Sequence, residues 1–328
     1  MKKGSLLLGG IALMILACLG CEKNPVSISL KSVKEFSTEK RPISILFENQ
    51  SGLVFVVNSN PARQNNSYKI QCFDRQGNYQ KTIVDFTDKP GGAYARYEPI
   101  DMAMDSDRIL HVLVKPYSQL MDGSWVPCQG FCILRFQIDG RFIGEFDFAQ
   151  FEAQLPPAAI ACYQGYVYVT NGLQLMKIDK DNGLHFEIPL PTEQDSSLRL
   201  VSDMSIDSKG SVWLVGQASF PDSTVGCHLT RISLMENSLI KYYSKGRTND
   251  FGSMVNNPGI AIDREDRIYL ATFYCRTLEV FNRDGKFLDQ IELDHAAGSL
   301  PIDVAVDQQG DVFVADYGAN RVVILKKS

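Results

Sequence analysis

Three aspartates stand at one place in a recurring apolar phrase: Asp101 in PIDMAMD, Asp203 in VSDMSID and Asp303 in PIDVAVD. Carboxylates about 6 Å apart repel by about 3 kcal/mol per pair at an effective dielectric near 20. Three of them around one opening would favour a bound cation, a raised pKa or a lining of water. Hard oxygen ligands suit calcium, the one metal cofactor this pattern suggests. In the blander reading, each Asp orders its own turn and never meets the others.

Other chemistry is sparse. His111, His185, His228 and His295 form no close metal-binding pair. His228 alone is expected near the same end of the molecule as the aspartates, where it could act as a general base. Cys128 and Cys132 are four apart in a loop, which is weak evidence for zinc without a second ligand pair. There is no G-x-S-x-G elbow and no P-loop, so no catalytic residue is assigned. DKDNG at 179–183 resembles the start of a calcium loop, but its twelfth position is Leu190, and it reads as a hairpin turn. The longest insertion, KPYSQLMDGSWVPCQGF (115–131), offers Tyr117, Trp125 and Phe131 among polar residues. Loop aromatics are typical recognition anchors, so these three and His228 are the candidate ligand or partner contacts. Alternatively, the loop folds down and buries Trp125 against the rim.

What positions these residues is a repeat. The aspartate phrase has looser copies in PISILFE (42–48), PAAIACY (157–163) and PGIAID (258–263). Aligned on the third residue, the copies give Ser44, Asp101, Ala159, Asp203, Gly259 and Asp303. Each copy leads to a second, mostly apolar run such as GLVFVV (52–57) or GSVWLV (210–215), then to a hairpin. Six units of four short antiparallel strands predict an all-β, six-bladed β-propeller. The blades fall at about 41–87, 97–149, 156–191, 199–243, 257–294 and 300–328. The last unit has three strands, and SISLKSVKEFS (27–37) has strand character with no partner, so it is expected to complete the last blade and close the ring. Two stacked sandwiches would need a mid-chain linker, and none is visible. Residues 22–328 therefore read as one domain and, with the ring closed on itself, as a monomer. Glu48, Asp105, Asp207, Asp263 and Asp307 end the first strands and should accept turn amides.

PIDVAVDQQGDVFVADYGANRVVIL resembles an NHL repeat, with Asp307, Gly310, Asp316, Asn320 and Arg321 at the matching positions. Blade five keeps Asp263 but has Thr272 where Asp316 falls, and blades one to four are degenerate. Exported bacterial propeller lipoproteins look similar overall. The resemblance extends to enzymes of the same architecture, including calcium-dependent lactonases, a peptide-amidating lyase and virginiamycin B lyase. The Glu and Asn ligands of the lactonases have no evident counterparts.

The apolar run Leu6–Ala17 follows Lys2 and Lys3 and is too short to span a bilayer. Residues 1–21 have the layout of an export signal. Ile15-Leu16-Ala17-Cys18 resembles a bacterial lipobox, with Cys21 as the alternative lipidated residue. The expectation is a bacterial envelope lipoprotein held by its lipid alone. Export would permit disulfides. Cys227 and Cys275 could pair across blades, the state of Cys128 and Cys132 stays open, and Cys72 and Cys162 read as free thiols in strands. A net charge of −5 gives no basic footprint for nucleic acid. The leading function is an envelope-anchored binding or scaffold module for a protein, peptide or glycan. The alternative is a metal-dependent hydrolase or lyase at the channel mouth, such as a lactonase.

Overall fold

The computed structural model describes residues 30–60, 67–88, 94, 96–149, 156–171, 174–189, 201–219, 225–233, 238–243, 258–273, 276–293 and 298–327. The first strand, β1 (Leu30–Ser37), belongs to the last blade. Blade one comprises β2 (Arg41–Glu48), β3 (Leu53–Asn60), β4 (Ser67–Asp74) and β5 (Tyr79–Asp85). Blade two comprises β6 (Arg96–Met104), β7 (Ile109–Gln119), a short extra strand β8 (Trp125–Pro127), β9 (Phe131–Gln137) and β10 (Phe142–Phe148). Blade three comprises β11 (Ala159–Tyr163), β12 (Tyr166–Thr170), β13 (Gln174–Asp179) and β14 (His185–Pro189). Blade four comprises β15 (Val201–Ile206), β16 (Ser211–Ser219), β17 (Val225–Ser233) and β18 (Ser238–Tyr243). Blade five comprises β19 (Gly259–Ile262), β20 (Ile268–Thr272), β21 (Thr277–Phe281) and β22 (Phe287–Glu292). Blade six comprises β23 (Pro301–Val306), β24 (Val312–Asp316) and β25 (Arg321–Lys327), completed by β1 in the order β1-β25-β24-β23.

Every blade is an antiparallel ladder, and the first strands touch in a closed circle, β2 to β6, β11, β15, β19, β23 and back to β2. The six-bladed propeller expected from the repeat is therefore the fold. The closing strand is also as expected: Leu30 pairs with Lys327, and Ser37 pairs with Arg321. The junction is reinforced at Arg321. Its Nε donates to Asp316 Oδ2 at 3.0 Å, and its Nη1 donates to Glu35 of β1.

The apolar core is divided into six wedges, one at each blade-to-blade contact. The second strands show why. Phe55 and Val57 of β3 pack toward blade two, while Val54 and Val56 pack toward blade six. A strand covered on both faces is apolar at successive positions, which is why the second runs alternate so weakly.

The first strands end in turns built as expected. The N–H groups of Lys209 and Ser211 donate to Asp207 Oδ1, those of Glu265 and Arg267 to Asp263 Oδ1, and those of Gln309 and Asp311 to Asp307 Oδ1. The second carboxylate oxygen does a further job: Trp213 Nε1 reaches Asp207 at 3.0 Å, and Tyr269 Oη reaches Asp263 at 3.1 Å. His111 Nε2 lies 2.9 Å from Asp105 Oδ2 in the same arrangement. Each such carboxylate thus pins a buried second-strand side chain as well as its turn.

Candidate functional site

The aspartates occupy the channel end of their blades because of a β-bulge. In β6, β15 and β23 the pairing with the second strand slips by one residue immediately before Asp101, Asp203 and Asp303. The same slip precedes Ser44 in β2. A bulge adds local twist and re-aims the next side chain.

Neither alternative read from the sequence includes the bond these carboxylates make to the next blade. Each one bridges two blades. One oxygen, Oδ1, accepts the N–H of the next residue: Met102 at 2.8 Å, Met204 at 2.7 Å and Val304 at 2.7 Å. The other, Oδ2, accepts an N–H from the following blade: Ile160 to Asp101 at 3.0 Å, Ile260 to Asp203 at 2.7 Å and Ile45 to Asp303 at 2.7 Å. The intervening blades carry the small residues Ala159, Gly259 and Ser44 at the aligned place. Smallness is needed there. A Cβ on Gly259 would lie 2.4 Å from Asp303 Cα and 2.5 Å from its Oδ1. Ser44 adds a link of its own, its Oγ donating to Asp101 Oδ1 at 2.9 Å.

Burial in the ring raises the Asp101 pKa to about 6, against the pull of the Ile160, Met102 and Ser44 hydrogen bonds. Burial also raises Asp203 well above the usual carboxylate range, and repulsion from Asp101 and Asp303 adds to it. Asp303 is raised in the same way, by burial and then by Asp101. The three charges therefore feel one another across the channel. Both oxygens of each are committed to backbone N–H groups, and among the described residues no three His, Cys, Asp or Glu side chains form a metal-holding group. Asp101, Asp203 and Asp303 thus brace blade to blade.

The ring separates two cavities. Below it, a channel of about 230 Å3 runs between the first strands, with Met104, Cys162, Ile206, Ile262 and Val306 in its wall. Cys72 and Cys162 are free, as expected. Above the ring, on the face that also bears the 115–131 insertion (the top face), lies a funnel of about 480 Å3 with Asp101, Asp203 and Asp303 at its base. Tyr68, Glu98, Phe273 and Tyr317 stand in its wall. Glu98 is held from two blades, by Tyr68 Oη at 2.8 Å and by Tyr117 Oη. Glu98 was missed in the sequence because it lies outside the aligned phrase, one residue before Pro99.

The 115–131 insertion is a β-hairpin. β7 runs on past the blade and pairs with β8, Gln119 facing Trp125 and Tyr117 facing Pro127. Gly123 N–H donates to Leu120 O at 3.0 Å and Leu120 N–H to Ser124 O at 2.8 Å, closing the tip. Leu120 and Met121 at this tip are exposed. Trp125 and Tyr117 are half-buried, and Arg96 lies 5.1 Å over the Tyr117 ring. Phe131 departs from expectation: it opens β9, is 3% exposed and lies tilted against Phe148, ring centres 5.0 Å apart, in the wedge between blades two and three. It is a core residue, not a contact. Cys128 and Cys132 are free thiols. The His228 backbone pairs with Gly216 in blade four, but its side chain, that of Cys227, Cys275, and the candidate lipidation residues Cys18 and Cys21 lie outside the described residues.

Residues 299–325 match the family model described as NHL repeat, so the sixth blade is a repeat of that kind. No curated protein matches the chain. Among solved structures, a streptogramin B lyase is 14% identical, covering 93% of this chain and 99% of its own, with a TM-score of 0.55. A catalytically inactive virginiamycin B lyase from Staphylococcus aureus with quinupristin is 12% identical, with coverages of 91% and 98% and a TM-score of 0.53. A protein of unknown function from Dyadobacter fermentans is 12% identical, with coverages of 91% and 99% and a TM-score of 0.60. At these identities the likeness is one of fold.

Proposed function

We propose that this chain is a binding or scaffold module of the bacterial envelope, tethered by a lipid on Cys18, or on Cys21, and engaging a protein, peptide or glycan partner with its top face. The observation that carries the reading is the β7–β8 hairpin. It projects Leu120 and Met121 into solvent from a braced, closed ring. Exposed apolar residues on a rigid, tightly turned hairpin suit recognition, because little conformational entropy is lost on docking. The tether is supported by the basic, apolar and small-residue order of residues 1–21. A lyase reading would rest on fold likeness alone.

The test places a photo-activatable residue at position 121 of the full-length chain in its bacterial host. A discrete adduct with one envelope component, lost in Leu120→Asp, is the expected result. Illumination that yields only uncrosslinked protein would overturn the top-face reading. Release of the chain into the soluble fraction by Cys18→Ser, or by Cys21→Ser, tests the tether. Retention in both variants would overturn it.

A further inference from the structure

Four of the buried turn carboxylates are given a cation by the protein itself: Glu48 has Arg108 at 3.1 Å, Asp207 has Arg231 at 3.9 Å, Asp263 has Arg267 at 2.6 Å and Asp307 has Arg75 at 2.6 Å. Asp105 has the His111 ring at 2.9 Å. The four carboxylates that line the top funnel, Glu98, Asp101, Asp203 and Asp303, have no ion-pair partner among the described residues. Among the described residues no lysine or arginine lines that cavity. Two arginines flank its aromatic wall, each engaged with a tyrosine. Arg41 lies 4.9 Å from the Tyr317 ring centre and donates to its hydroxyl at 2.9 Å, and Arg96 is stacked on Tyr117.

A concave site with the Glu98 carboxylate in its wall, and no lysine or arginine among its described lining residues, favours a cation from outside. The kind of cation follows from the donors. A hard metal ion needs six to eight oxygens in its first coordination shell, and each ring Oδ2 already accepts a backbone N–H. An ammonium group needs only the field and a few acceptors. Its organic body needs apolar and aromatic walls, and the funnel supplies Ile43, Tyr68, Pro258, Phe273, Ile302 and Tyr317. A volume of about 480 Å3 lies within the range of small-molecule sites.

We infer that the top funnel is a binding site for a small organic cation, an ammonium head carried on an aromatic or apolar body, with Glu98 the wall carboxylate that faces it. This site is separate from the hairpin tip, so it stands or falls apart from partner docking.

The experiment uses the full-length chain in detergent and measures binding of tyramine and of 4-ethylphenol, its neutral counterpart, by calorimetry. Tyramine is expected to saturate and to bind at least about tenfold more tightly than 4-ethylphenol. Glu98→Gln should weaken tyramine about tenfold and leave 4-ethylphenol unchanged. Leu120→Asp should change neither. Equal affinity for the two compounds would overturn the inference. So would displacement of tyramine by millimolar calcium chloride, which would make the site one for an inorganic ion. Absence of saturation with tyramine, benzyltrimethylammonium and 1,6-diaminohexane alike would also overturn it. The comparison of charged and neutral probes on the unmodified protein stands even if Glu98→Gln folds poorly.

Discussion

The N–H of Ile45 donates to Asp303 Oδ2 at 2.7 Å, joining residues 258 apart in the chain. This bond locks blade six to blade one at the channel, while β1 locks the same two ends at the rim. Asp303→Ala removes the acceptor and leaves the Ile45 N–H buried and unpaired. A buried donor left without its acceptor costs about 1–3 kcal/mol. Urea denaturation of the full chain should show a loss of this size, with Asp303→Asn intermediate because it keeps one acceptor oxygen.

Gly259 is fixed by its neighbour and not by its own backbone angle. With a Cβ 2.4 Å from Asp303 Cα, Gly259→Ala must push blades five and six apart. Overpacking of this kind costs about 1–3 kcal/mol. Ala substitution at Gly52, where a Cβ meets nothing within 4 Å but φ is +68°, tests backbone strain alone. Comparing the two midpoints separates crowding from strain.

At the rim, Arg321 is 8% exposed between Asp316 and Glu35. Replacing it with Leu strands the buried Asp316 carboxylate, and breaking a buried pair from one side costs about 3–5 kcal/mol. Because closure joins first and last strands, the whole ring should lose cooperativity, seen as a lower and broader calorimetric transition. A sharp, unshifted transition would show that the closing strand contributes nothing.

The ring carboxylates also set a pH dependence. Their folded pKa values are raised, so the folded protein binds these protons more tightly than the unfolded chain. Their contribution to stability is therefore fully present below about pH 4 and is lost as pH rises through the folded value, about 6 for Asp101. The turn acids act in the opposite sense. Burial opposes it, but hydrogen bonds from Ser51 and Gln50 hold Glu48 low, and His111 and Ile109 do the same for Asp105. Their contribution is lost as pH falls below the usual carboxylate range. Stability should peak near about pH 5. Urea midpoints across pH should fall between about pH 5 and pH 7 in the wild type and less steeply in Asp101→Asn.

The propeller was legible because the aspartate phrase recurs at fixed places and because an unpartnered strand lay at one end of a chain lacking one at the other. The placement of Asp101, Asp203 and Asp303 at the channel followed from the same alignment. Their bonds did not, because each acceptor meets an N–H at least 57 residues away, and a backbone donor carries no residue-type signal. Phe131 was misread because the loop boundary was set too late. The alternation in FCILRF already points its first residue to the side taken by Ile133. β8 went unseen because three residues ending in Pro127 give no period to detect. Glu98 has a sequence position but no motif, and only the two tyrosine hydroxyls that reach it mark it out.

The alternation of a carboxylate with a small residue around the channel has a consequence for parity. Each Asp needs a neighbour that yields space, and each small residue needs a neighbour that supplies an acceptor. Such a pattern can circle back on itself only when the number of blades is even. Adding or deleting a single blade would set two carboxylates, or two gaps, side by side. The arithmetic of the inner circle thus makes a pair of blades, and not one blade, the smallest unit by which this molecule could grow or shrink.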